Sequence, residues 1–136
     1  MFELERFTTL EQVEDVLVEM GERSQNLFAS WEWISTWWRH FGQGRRLMGA
    51  VARRDGGEPL AILPLYLFSS GPVRVLRFLG HGAGDWLGPI NPPDGRELAA
   101  EALQATLAAT AGWDVFLAER IRHDEPAART DRKSVV

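Results

Sequence analysis

The segment 31–41, WEWISTWWRHF, limits the architecture of this chain more than any other stretch. Four of the six tryptophans fall within its first eight residues. At helical spacing, Trp31, Ile34, Trp37, Trp38 and Phe41 gather in one sector with Trp33 at its edge, while Glu32, Ser35, Thr36 and Arg39 take the other side. Ser30 is placed to cap this helix and Gly42 to stop it. Such a face needs something large to cover it. Packing under or against a sheet is the first expectation, and a ligand wall or an interface with a partner lobe is the second.

The flanking sequence supplies that sheet. Residues 2–7 alternate apolar and charged side chains, as a half-buried strand does. Thr8 and Thr9 precede an amphipathic pattern, Leu10, Val13, Val16, Leu17 and Met20, with Glu11 and Gln12 placed for a capping box and Gly21 for the stop. Three strand patterns follow at 47–53, 59–68 and 73–79, separated by turn signals at 55–57 and 69–72, and together they suggest an antiparallel meander. Pro59 and Pro64 place the second strand at an edge or predict a bulge. A glycine- and proline-rich stretch, 80–95, leads to an alanine-rich helix that Asp94 is expected to cap, with Glu97 reciprocal, and that runs to Ala111. Residues 113–117 read as a last strand reached by a parallel crossover. The expected class is α/β, a mainly antiparallel mixed sheet flanked by helices.

Composition excludes several functions. The chain has no cysteine, which removes disulfides, thiolate catalysis and cysteine-ligated metals. His40, His81 and His123 show no metal-ligand spacing, so no metal is expected. A net charge of -4 without a basic stripe argues against nucleic acid. There is no transmembrane run or signal peptide, and a cytoplasmic location is expected. At 136 residues one domain is expected. It is assigned to 1–130, because residues 131–136, which include the single lysine, Lys133, have no fold logic and read as a non-native tail.

The order strand, helix, helix, three strands, glycine-rich connection, helix, strand resembles the first part of a GNAT fold. The segment 26–42, NLFASWEWISTWWRHFG, is similar to the N-terminal signature of bacterial acyltransferases linked to cellulose biosynthesis. AILPLY at 61–66, LRFLG at 76–80 with Asp85 following, and Trp113-Asp114 agree in order, so the resemblance spans roughly 27–117. It implies a two-lobed enzyme. The second, C-terminal GNAT-like lobe, absent here, would hold acetyl-CoA or another acyl-CoA, while this lobe supports it and walls the cleft of a small-molecule or saccharide acceptor. By that resemblance the chain is an N-terminal piece with no cofactor of its own, from an N- or O-acyltransferase of polysaccharide or cell-envelope metabolism. The alternative is a non-catalytic module that uses the tryptophan face to bind a protein, peptide or carbohydrate.

Arg77, Gly80 and Gly82 satisfy the loose R-x-x-G-x-G pattern with which GNAT enzymes receive a pyrophosphate on consecutive N–H groups at a helix start. The residues after Gly84, DWLGP, do not open a helix, so a structural turn is expected instead. No catalytic residue is assigned. Acceptor-side candidates are Trp31, Tyr66, His81, Asp85 and Trp86, with Glu32 as a further polar group. His81 is weighed against an ordinary loop histidine, Asp85 against a turn cap, Trp86 against core packing, and Tyr66 against a strand residue whose hydroxyl ends at the surface. Arg39 and His40 suit a helix C-terminus without any ligand. Arg45 and Arg46 read as a solvated loop, with an acidic acceptor or carrier protein as the alternative.

Overall fold

The computed structural model describes residues 2–54, 57–80, 87–118 and 134–135. Two sheets form one continuous scaffold. Strand β1 (Phe2–Phe7) pairs antiparallel with β3 (Gly49–Arg54), which pairs antiparallel with β4 (Pro59–Leu63). In the second sheet β2 (Arg46–Leu47), β5 (Leu65–Ser70) and β6 (Val73–Phe78) are antiparallel neighbours. Beyond β6, β7 (Val115–Leu117) and then β8 (Ser134–Val135) are added in parallel.

The expected single meander is corrected at one point. Each arm of its first hairpin is broken, at Met48 and at Pro64, and the breaks lie side by side, since Met48 N–H donates to the Leu65 carbonyl at 2.8 Å. Pro64 has no N–H to give to a ladder. Its carbonyl instead accepts from Leu79 at 2.9 Å, which starts the β5–β6 pairing. The register passes unchanged through the break, from Ala50↔Leu63 to Leu47↔Tyr66, so one bent hairpin carries the chain from one sheet to the other. Pro59 opens β4, an edge strand of its sheet, where a missing N–H costs least.

Alternation along these strands divides the core by face. Ala50, Ala52, Leu65, Leu67, Leu76 and Phe78 point to one side and meet Ala102, Leu103 and Leu107 of α3 (Arg96–Ala109). Val51, Ile62 and Tyr66 point to the other. There they meet Leu17 and Met20 of α1 (Glu14–Ser24) and Ile34 and Trp37 of α2 (Trp31–Phe41). The result is three layers, helices on both sides of the sheets, and the α/β class is as expected.

Helix α2 begins and ends where the sequence places it. Ser30 Oγ accepts from Trp33 N–H at 3.2 Å, and Gly42 N–H closes the last turn on the Trp38 carbonyl at 2.8 Å. The other two helices differ. A 3-10 turn, Leu10–Val13, precedes α1, and the expected capping box forms at that turn, with Gln12 Oε1 accepting from the N–H groups of Thr8 and Thr9. Gly21 does not end α1. It lies inside, where a Cβ would stand 2.7 Å from the Ala29 carbonyl oxygen, and the stop falls at Gln25, whose φ is 61°. Asp94 does not cap α3 either. It sits in a 3-10 turn, Pro93–Gly95, with Gly95 at the cap position and no side-chain bond there. The helix ends at Ala109, with Thr110 Oγ1 donating to the Thr106 carbonyl at 2.6 Å.

The crossover from β6 through α3 to β7 is parallel, with Val75↔Val115 and Leu76↔Phe116 in register. Two residues of the family-like motif fasten its return. Trp113 Nε1 donates to the Thr110 carbonyl at 2.8 Å, and Asp114 accepts from the Arg74 N–H at 2.8 Å and pairs with its guanidinium at 3.3 Å.

Candidate functional site

The tryptophans of α2 divide their work. Trp37 is 4% exposed and meets Tyr66 in a tilted ring contact at 5.4 Å, and Trp38 reaches the same ring at 6.1 Å. Trp33 stands edge-on to Phe28 at 5.2 Å. Trp31 is half-buried and lines a cleft of about 230 Å³ between α1 and α2, together with Gly21, Asn26 and Glu32. Packing against the sheets therefore accounts for most of this face, as first expected. One part of it stays open. Leu27 is 70% and Phe41 54% exposed, and they flank an apolar groove of about 450 Å³ beside Trp33, Trp37 and His40. His40 itself donates from Nδ1 to the Thr36 carbonyl at 2.9 Å.

Tyr66 is fully buried rather than ending at the surface. A strand residue on the face that α2 covers has no route to solvent. Its ring forms the floor of an aromatic cluster with Trp37, Trp38 and Phe68, and its hydroxyl accepts from Arg45 at 3.4 Å. As an acceptor-side residue it is covered. His81, Gly82, Asp85 and Trp86 lie outside the described residues.

Arg77 and Gly80, the described part of the R-x-x-G-x-G pattern, are both buried. Arg77 sits opposite Tyr66 in the β5–β6 ladder. Gly80 has φ 102°, and a Cβ there would stand 2.7 Å from both the Trp33 ring and the Leu87 methyl. Only glycine meets both demands. The next α-helix starts at Arg96, far along the chain, so the turn packs against side chains rather than opening a helix.

A second cleft, of about 660 Å³, was not visible in the sequence. It lies where β1, β2 and the C-terminal ends of α2 and α3 converge, and Arg6, Arg45 and Arg46 line it with Thr8, Trp38 and Met48. Arg6 is held by three acceptors, the carbonyls of Gly49 and Met48 and the Thr110 hydroxyl, at 3.2, 3.3 and 2.9 Å. Partial burial draws its pKa below the usual guanidinium value by desolvation. The Arg45 guanidinium lies over the rings of Tyr66 and Phe68, 5.2 and 5.4 Å from their centroids. Arg45 and Arg46 are adjacent and readable as a pair, but Arg6 joins them only because β1 runs along β3, and no local signal in the sequence announces that.

Among the described residues no group of three or more His, Asp or Glu side chains gathers as a metal site. No helix of the described residues is long and apolar enough to cross a membrane. No family model, curated protein or solved structure matches the chain.

Proposed function

We propose that this chain is the N-terminal, acceptor-side part of an acyl-CoA-dependent N- or O-acyltransferase, in which a second lobe carries the donor. The observation that carries the reading is the parallel β6–α3–β7 crossover following antiparallel hairpins, the element order implied by the resemblance. It is supported by where the family-like segments fall. The 26–42 segment supplies the helix over Tyr66, the 61–66 segment holds the sheet switch at Pro64, and Trp113-Asp114 ties the approach to β7 to the end of α3 and to Arg74 of β6. The packed turn at Gly80 agrees with donor binding elsewhere. Acyl transfer needs a donor held beside an acceptor together with a group to take its proton. In this proposal the present chain contributes walls and support, and the acceptor belongs to cell-envelope or polysaccharide metabolism in the cytoplasm.

The test is release of free CoA thiol from acetyl-CoA, with amine and hydroxyl acceptors, by this chain and by the full product of the gene that encodes it. The chain has no cysteine, so it contributes no thiol background. Thiol release by the longer product alone is expected, and turnover by the chain alone would overturn the proposal. A second reading, a binding module acting through α2, is favoured by one observation, the exposure of Leu27 and Phe41 beside the apolar groove. A gene that ends with this chain and yields a product silent toward acyl-CoA would favour it.

A further inference from the structure

We infer that the cleft lined by Arg6, Arg45 and Arg46 is a binding site for a small organic oxyanion, a phosphate or carboxylate group carried on an apolar or ring-shaped body. The inference stands apart from the acyltransferase reading and survives its failure. Its first support is a contrast in how this acidic protein treats its arginines. Arg23, Arg53, Arg54 and Arg74 each pair with a carboxylate within reach, Glu19, Glu5, Glu58 and Asp114. Among the described residues no carboxylate pairs with Arg6, Arg45 or Arg46, and none lines their cleft. Three cations line one open cleft although the whole chain carries a charge of -4.

Preorganisation is the second support. Arg45 lies over the buried Tyr66 ring and the half-buried Phe68 ring, and among the described residues its one hydrogen-bond acceptor is the Tyr66 hydroxyl, so most of its five N–H donors remain for a ligand. Arg6 is fixed by acceptors at the Met48 break, at the start of β3 and just past the end of α3, which places its charge without consuming all its donors. The carbonyl ends of α2 and α3 also border the cleft, each with about half a negative charge, so three guanidinium groups still leave it positive. Guanidinium groups bind two oxygens of a carboxylate or phosphate edge-on by paired N–H bonds. Thr8 adds a hydroxyl at the rim, and half-buried Trp38 and Met48 supply the apolar wall that favours a ligand with a body over a bare ion.

Calorimetric titration of the chain with phenyl phosphate, benzoate and benzyl alcohol tests this. Phenyl phosphate and benzoate separate the phosphate from the carboxylate source, and the alcohol reports the apolar wall alone. Saturable millimolar binding of at least one anion is expected, with none for the alcohol, and it should weaken as salt rises. Arg45→Gln and Arg46→Gln should each reduce affinity by about tenfold. Arg46 is exposed and makes no side-chain bond among the described residues, so Arg46→Gln should melt at the parent temperature. Three results would overturn the inference: no heat with either anion, alcohol binding equal to that of the anions, or anion binding unchanged in the double variant.

Discussion

Replacing Gly80 with alanine separates a structural turn from a ligand-binding one. Two costs add at this position. An L-residue held at φ 102° is strained by about 1–3 kcal/mol. The new methyl also stands 2.7 Å from the Trp33 ring and the Leu87 methyl, and overpacking of that kind costs about 1–3 kcal/mol. A total near 3 kcal/mol is expected, which lowers the melting temperature by about 10 °C in a domain of this size. Gly71→Ala is the internal control. Gly71 has φ 62° with nothing within 4 Å of the built Cβ, so it carries backbone strain alone, about 1–2 kcal/mol. Urea unfolding of both variants gives the difference directly. Pairing Gly80→Ala with Trp33→Leu should recover about 1 kcal/mol as a coupling energy, since the shorter side chain vacates the contact. If Gly80→Ala costs no more than Gly71→Ala, the packing of α2 onto this turn is wrong, and the motif is open to the pyrophosphate role that the packing denies it.

Other outcomes follow from the same geometry. Ser30→Ala removes the Trp33 N–H acceptor and should cost about 1 kcal/mol in urea unfolding, with little change in the sheets. Phe116→Ala empties a fully buried site where the ring meets Phe78 edge-on at 5.6 Å, and a loss of about 3–5 kcal/mol is expected by the same assay. The parent chain is expected to self-associate with rising concentration in light scattering through the exposed Leu27 and Phe41, and Leu27→Ser with Phe41→Ser should abolish this while leaving stability within about 0.5 kcal/mol. A parent chain that stays monomeric and binds no hydrophobic dye would count against an open apolar face on α2.

The parts of the fold legible in the sequence are those governed by local rules. Ser30, Gly42 and the helical period between them define α2 without reference to anything else, and turn residues mark both hairpins. The parts that were misread depend on contacts. Gly21 looks like a helix stop, but what keeps a glycine there is the approach of the Ala29 carbonyl from the next segment. Pro64 announces a break in a strand and says nothing of which sheet receives the other half, which is settled by its neighbour Met48 breaking at the same level. Tyr66 carries a polar tip that suggests the surface, yet the face on which it falls belongs to α2. The arginine cleft joins residues from β1 and β2 that share no sequence pattern, and the register of β1 on β3 brings Arg6 to Met48 and Gly49.

The central claim is that this chain supports a donor site without containing one, and titration of the isolated chain with acetyl-CoA, followed by calorimetry, tests it most directly. No saturation in the micromolar range is expected, and any heat should match the weak, salt-sensitive signal of phenyl phosphate. Stoichiometric micromolar binding that persists in the Arg45→Gln, Arg46→Gln variant would contradict the account.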